Sequence, residues 1–531
     1  MSHGAGASTG SGVVNGVPVL FAERPGPVSG GLLFRVGWSD EPLARAGITH
    51  LIEHLALHGR HDLSGHHNAT TGEWITHFHA TGTEAEVVAA LSGTCAALRE
   101  LPVGRIEMEK EILRTEAAGQ SFGARDRLRL ERYGARGPGL AGYAGFGLSA
   151  ITPEDVREWA GDWFVTANAV AWITSATIPP SLDLRLPPGQ RRPAPVWTDL
   201  LTDTPAYFRG DPGGVVLDAV VPRSAAASLF AKVASRALFR SLREEGGYSY
   251  AAQCEYEPIG ADSARITMYA DALENAQAAA TGGLVDVLAA LRGGAIDAND
   301  LRASQEAARL ALDDPFLGAA MLPGLAMNLL VGGEYQDAAD MQRESDAVTV
   351  ADLAAVAQAV WDDALVQIPE GALDWAGFTA VPTWSNAEIT GRSFRSLDQA
   401  GGELVIGDEG VMMRDGGARI SVRFGDCVAL ETWPDGACTL IGSDGFVVHI
   451  EPTMHEGLDL DTIARVDSAV ASRSHLPRPA RGPAQIPRPP APPADAPGRT
   501  QRRGWRWWGS KPPATPAEPR GRSTAEEKPL R

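Results

Sequence analysis

Two kinds of hydrophobic spacing alternate along the first part of the chain. "VVNGVPVLFAE" (from Val13) and "GGLLFRVGW" (from Gly30) have the short apolar runs of strands around a turn. "ARAGITHLIEHLAL", ending at Leu57, repeats its apolar residues at helical spacing. "EWITHFHATG" (from Glu73) alternates like a strand. "EAEVVAALSGTCAALREL" and "GRIEMEKEILRTEAAG" predict two successive helices. "ITPEDVREWAGDWF" (from Ile151) predicts another, with Thr152 as N-cap and Pro153 in the first turn.

The same themes return further on. "GVVLDAVVP" and "SYAAQCEYEP" predict strands. "AASLFAKVASRALFRSLREEG", "ENAQAAATGGLVDVLAALRGG" and "DANDLRASQEAARLAL" predict helices. "VTVADLAAVAQAVW", Val348 to Trp361, aligns without gaps on Ile151 to Phe164, which suggests an internal duplication. The expected organisation is α+β. A flexible lead (1–12) precedes a mixed α/β domain (13–177), a Pro-rich linker (178–197) and a second domain of the same fold (198–370). A small module (396–475) of short strands with Asp-Gly and Gly-Asp turns and a closing helix resembles a pleckstrin-homology-type module in pattern. The Pro- and Arg-rich tail (476–531) is expected to be disordered, with "RRGWRWWG" (Arg502 to Gly509) as a possible contact for a membrane surface or protein.

Bulk composition narrows the function classes. A formal charge of −19 over 531 residues argues against nucleic-acid binding, because an acidic surface repels phosphate. Cys95, Cys254, Cys427 and Cys438 are scattered, form no CxxC pair, and read as reduced core thiols. The N-terminal lead has no basic or apolar segment of a signal peptide, and no apolar run is long enough for a bilayer. A cytoplasmic location is the expectation.

The chemistry concentrates in "ITHLIEHLALHG", Ile48 to Gly59. Residues four apart share a helix face, so His50 and His54 can point ring nitrogens at one ion. Glu53 lies beside the same ion and is free to hold a water, the arrangement of a metal-assisted hydrolase. A catalytic zinc takes three protein ligands and keeps one position open, so a third ligand is needed. Glu109 and Glu116 in "EMEKEILRTEAAG" are two helical turns apart, share a face, and are the best candidates.

"HLIEH" followed by a helix ending "EKEILRTE" resembles the M16 family of zinc peptidases, which includes pitrilysin, insulin-degrading enzyme and the mitochondrial processing peptidase. The resemblance runs from Val13 to about Gln367. It implies that His50, His54 and Glu116 bind zinc, that Glu53 is the general base, and that Glu109 orients a ligand. "LFRSLREEGGYSYAA" resembles the family's second-domain segment, which implies that Arg243 and Tyr250 contact substrate. "HNATTGEW" resembles the family's Asn-Ala-x-Thr segment, which places Asn68 on a strand able to bind an extended peptide by β-addition. One departure is the spacing from His54 to Glu116, 116 − 54 = 62 positions, shorter than usual for the family. His58, His61, His66, His67, His77 and His79 match no ligand position and are read as loop and strand residues.

The expected activity is that of a zinc-dependent endopeptidase acting on peptides or unfolded segments. A two-domain chain of this kind is half a clamshell, which implies a homodimer or a heterodimer with a related subunit. The alternatives are a non-catalytic partner subunit of the same fold, or an adaptor working through the β-module and the Trp/Arg tail.

Overall fold

The duplication is visible in the strand order. The structure, a computed structural model, describes residues 9–59, 66–119, 122–193, 199–312, 314–333, 337–385, 387–398 and 401–489. In the first domain β1 (Gly10–Val14), β2 (Val17–Phe21) and β3 (Val28–Phe34) precede α1 (Ile48–Leu57). Strands β4 (His66–Thr71) and β5 (Thr76–Gly82) follow, then α2 (Glu84–Arg99), α3 (Ile106–Gly119), α4 (Ala124–Tyr133), α5 (Pro153–Trp163) and β6 (Ala169–Ile173). The second domain contains β7 (Ala206–Arg209), β8 (Gly214–Pro222), α6 (Ala225–Leu238), β9 (Ala252–Pro258) and β10 (Ser263–Asp271). Helices α7 (Gln277–Arg292), α8 (Ala298–Leu312), α9 (Leu317–Leu330), α10 (Ala338–Ala347) and α11 (Val350–Asp363) come next, before β11 (Leu365–Ile368) and β12 (Thr379–Ala380).

Each domain has a six-stranded sheet, ordered β1-β2-β6-β3-β5-β4 in the first and β12-β7-β11-β8-β10-β9 in the second. From β2 to β4 and from β7 to β9 the segment order is the same, and so are the senses of pairing: one parallel pair followed by antiparallel ones. The aligned helices α5 and α11 are equivalent. Each opens with a Thr capping box, Thr152 with Asp155 and Thr349 with Asp352, and each leads into a buried central strand. The outer strand beside β2 and β7 differs. β1 comes from the N-terminal lead and starts at Gly10 rather than Val13, turned onto β2 by Asn15 and Gly16 at positive φ.

One face of each sheet is covered by its own domain's helices. Leu32, Phe34, Phe78 and Ala171 pack under α1, α2 and α5, and Leu217, Ile266, Met268 and Val366 pack under α6, α7 and α11. The opposite faces are covered by exchange. Helix α9 of the second domain lays Leu322, Leu325 and Ala326 on Leu20, Leu33, Val170 and Trp172 of the first sheet. Helix α4 of the first domain lays Leu128 on Ala206, Phe208, Val216 and Leu365 of the second. The linker is also packed: Leu182, Leu184 and Leu186 are buried in the first core, and Leu184 N donates to Asn15 Oδ1 at 2.9 Å.

Buried charge joins the domains. Arg132 on α4 is fully buried and donates to Asp199 Oδ2 at 2.6 Å, Asp218 Oδ1 at 3.2 Å and the Asp363 carbonyl at 2.8 Å. Arg265 on β10 takes Glu73 of the first domain in a two-pronged pair at 3.1 and 3.0 Å.

The third region is a separate β-rich unit. It comprises β13 (Gly391–Arg395), β14 (Glu403–Gly407), β15 (Gly410–Asp415), β16 (Ala418–Arg423), β17 (Cys427–Thr432), β18 (Cys438–Gly442), β19 (Val447–Ile450), α12 (Leu460–Ala469) and β20 (His475–Pro477). The strands form two four-stranded sheets, β13-β14-β15-β16 and β19-β18-β17-β20, enclosing Phe394, Leu404, Val422, Leu440, Val448 and Val466. The unit therefore starts before Ser396, and it continues into the segment expected to be tail. β20 pairs parallel with β17, and Arg481 pairs with Glu451 and Asp435. "RRGWRWWG" lies outside the described residues. All four cysteines are buried and outside any disulfide, and in the hairpin register Cys427 faces Gly442 while Cys438 faces Thr432.

This unit docks on the first domain. Ala429 and Ile441 pack with Leu43, Ala46, Ala135, Leu140 and Tyr143, and Arg478 lies 4.9 Å from the Phe146 ring centre. Gly134 is required at the contact, because its φ is 72° and a Cβ would meet the Ser443 carbonyl at 2.1 Å. Among the described residues no single helix is long and apolar enough to cross a membrane.

Arg132→Met strands three carboxylates that the guanidinium now neutralises. The expected loss, read by urea unfolding, is about 3–5 kcal/mol.

Candidate metal centre

Helix α1 is oriented by its surroundings on every side. Leu51, Ile52, Leu55 and Ala56 are fully buried in the first core. That leaves the face with His50 and His54 open, four residues apart with ring centres 4.8 Å apart, edge to face. At its N-terminus Gly47 takes φ 102°. The helix amides there are met by the buried carboxylate of Glu41, which accepts from Gly47 N at 2.6 Å and Thr49 N at 2.8 Å. An anion at this end also complements the helix dipole. Burial nevertheless pushes the Glu41 carboxyl up to about 7. Thr49 is pinned in turn by the indole of Trp159, Nε1 to Oγ1 3.1 Å.

Helix α3 supplies the opposite wall. Glu116 Oε2 lies 3.8 Å from His50 Nε2 and 3.7 Å from His54 Nε2. One ligand atom from each of His50, His54 and Glu116 falls within 4.8 Å of the others, a set able to close on a single ion. Burial and the neighbouring His54 lower the His50 pKa to about 4, so its ring is neutral and free to ligate at neutral pH. Glu109, one turn pair earlier and buried, brings Oε2 within 3.5 Å of His54 Nδ1, while Arg105 holds its Oε1 through two bonds of 3.2 Å. His54 thus faces Glu109 with one nitrogen and Glu116 with the other, an outer carboxylate orienting a ligating imidazole. The donor chemistry fits zinc: two imidazoles, one carboxylate and an open side. The short spacing between His54 and Glu116 has cost none of these residues their place.

Glu53, between the two histidines on α1, is 4 % exposed, close enough to feel the charges of His54 and Glu116, and accepts from Thr71 Oγ1 at 2.6 Å. Burial raises its pKa, opposed by the Thr71 hydrogen bond and by His54. Asn68 lies exposed on β4, an edge strand, its Oδ1 accepting from Ala69 N at 2.9 Å.

Arg243 and Tyr250 are brought together in the second domain. Arg243 Nη1 donates to the Tyr250 carbonyl at 3.0 Å, and its guanidinium sits 4.5 Å from the Tyr250 ring centre. Arg243 belongs to a π-helical turn, Phe239–Glu245, that ends α6, and Tyr250 is 75 % exposed. Among the described residues no hydrogen bond or ion pair joins this pair to the metal centre. Helix α6 follows β8 as α1 follows β3, yet it carries no histidine, so the candidate set among the described residues belongs to the first domain alone.

Among the described residues no other histidine joins the set. His58 is exposed at the end of α1, His61 lies outside the described residues, and nothing is described of the His66 side chain. His67 pairs with Ala80 in the sheet, and His77 and His79 stack at 5.2 Å on β5. His77 Nε2 accepts from Trp172 Nε1 at 3.2 Å. Glu41 and Thr71 went unassigned in the sequence; their neighbours, an acid before a Gly-led helix and the Asn-Ala-x-Thr segment, were the available signals.

No family model matches the sequence, and no curated protein matches it. Solved structures do. A protease from Helicobacter pylori superposes with TM-score 0.58 at 17% identity, over 68% of this chain and 100% of that one. The first half of the periplasmic protease PqqL from Escherichia coli gives TM-score 0.56 at 14% identity, over 69% and 93%. A peptidase M16 inactive domain from Pseudomonas fluorescens gives 0.55 at 16%, over 68% and 97%. The chain has the fold of M16 peptidases, a fold that carries inactive members as well as proteases.

Burial and the neighbouring His79 lower the His77 pKa to about 4. A group depressed in the folded state contributes stability above its unfolded value of about 6.5, lost as pH falls through that value toward 4. The drop in melting temperature between pH 7 and pH 4.5 is therefore expected to be smaller in His77→Gln than in the wild type.

Proposed function

We propose that this chain is a zinc-dependent endopeptidase that hydrolyses peptide bonds in peptides or unfolded segments. The observation that carries the reading is the convergence of His50, His54 and Glu116 around one point, with the carboxylate of Glu53 next to it in sequence and chemically separate. The two imidazoles and Glu116 would hold the ion, and Glu109 would set the orientation of His54. Zinc bound there supplies a Lewis acid for the scissile carbonyl and acidifies a water. Glu53 takes the proton of the attacking water and returns it to the leaving amine; its raised pKa suits both steps.

The substrate side follows from the edge strand and the second domain. A peptide laid along β4 would gain main-chain hydrogen bonds with little regard to sequence, and Asn68 would meet its backbone. Arg243 and Tyr250 offer a cation and a hydroxyl for the carbonyl oxygen. The match to the first half of a longer protease supports a second half supplied by another chain. Because the metal set and the Arg243–Tyr250 pair are both present here, a homodimer is favoured over a heterodimer.

Glu53→Gln is expected to keep zinc while its kcat falls about 10²- to 10⁴-fold. Cleavage at full rate by this variant overturns the mechanism. His54→Ala is expected to lose zinc, read by metal analysis of the purified protein. Mass spectrometry of a peptide library should give internal cleavage products that disappear with chelator.

A further inference from the structure

The carboxylate proposed as base is not held by its own helix. Glu53 Oε2 takes its hydrogen bond from Thr71, the last residue of β4, at 2.6 Å, and Glu53 is buried. The hairpin that carries Thr71 is itself fastened. Trp38 N donates to the Gly72 carbonyl at 3.1 Å and Ser39 N to the Glu73 carbonyl at 2.9 Å. The Glu73 side chain is clamped by Arg265 of the second domain at 3.1 and 3.0 Å, with Arg129 at 3.3 Å. The hydroxyl is thus placed by main-chain bonds on one side and a buried ion pair on the other.

We propose that Thr71 is a positioning residue: its hydroxyl fixes the Glu53 carboxylate and links the base mechanically to the strand that receives the peptide. The inference rests on the peptidase reading and deepens it. A hydroxyl donating to an ionised carboxylate makes a short, charge-assisted bond. A pure packing role would be met equally well by valine, which has the same shape and strand preference but no donor. Serine keeps the donor and drops the methyl.

The test uses the full chain with Thr71→Val and Thr71→Ser. Crystal structures of the metal-free wild type and T71V should show the Glu53 carboxylate rotated away from its wild-type position in the variant. With zinc supplied, T71V should lower kcat about 10- to 100-fold, a fraction of a general base's full effect. KM and zinc affinity, the latter by chelator competition, should stay within about threefold of wild type, because the substitution alters a side chain that bonds Glu53 and leaves the main chain of β4, which would meet the peptide, unchanged. T71S should recover kcat to within about fivefold. An unmoved carboxylate in T71V, a T71S as slow as T71V, or zinc affinity falling in step with kcat would each overturn the proposal. If the wild type cleaves no peptide, the peptidase reading fails, and the crystal structures alone decide whether Thr71 places Glu53.

Discussion

The arrangement depends on one helix being asked to do two incompatible things on opposite faces. Helix α1 buries Leu51, Ile52, Leu55 and Ala56 completely, and that packing fixes its rotation to within a fraction of a turn. The same rotation decides where His50 and His54 point. A side chain four positions on sits above its predecessor only while the helix stays regular, so anything that loosens the apolar side also spreads the imidazoles. The other contacts at the site serve that requirement: Glu41 closes the helix start, Trp159 holds Thr49, and α3 brings Glu109 and Glu116 to the open face.

Charge is buried where the domains meet rather than at the site alone. Arg132 and Arg265 are almost wholly removed from water and hold Asp218, Asp199, Asp363 and Glu73. Such networks are weak sources of net stability, because desolvation offsets the attraction. Their geometric demand is strict, however, and a guanidinium fork accepts few orientations of its partners. They therefore specify how the two sheets meet more than they strengthen the contact. Through Glu73 that precision reaches the β4–β5 hairpin, two residues from Thr71, whose hydroxyl donates to Glu53.

The elements that could be read from sequence were those whose signal is local. The period of "ITHLIEHLALHG", the capping boxes of α5 and α11, and the gapless alignment of those two helices all survive in the fold. His50, His54, Glu109 and Glu116 come together in space, because each pair shares one face of its own helix and the two helices face each other. Helices α4 and α9 went unread for opposite reasons. "ARDRLRLERY" is so charged that its buried Leu128 and Arg132 do not stand out, and "LGAAMLPGLAMNLL" is apolar all round with Pro323 inside it. The packed linker was hidden by its prolines, since the leucines between them read as loop. Glu41 and Thr71 act across the fold, and no spacing along the chain reports such a contact.

The exchange of α9 and α4 also settles what the linker cannot do. Swinging one domain against the other would have to lift Leu322 and Leu325 off the first sheet and Leu128 off the second at the same moment. A connection bridged twice in this way is a rivet rather than a hinge, and the two sheets turn as one piece.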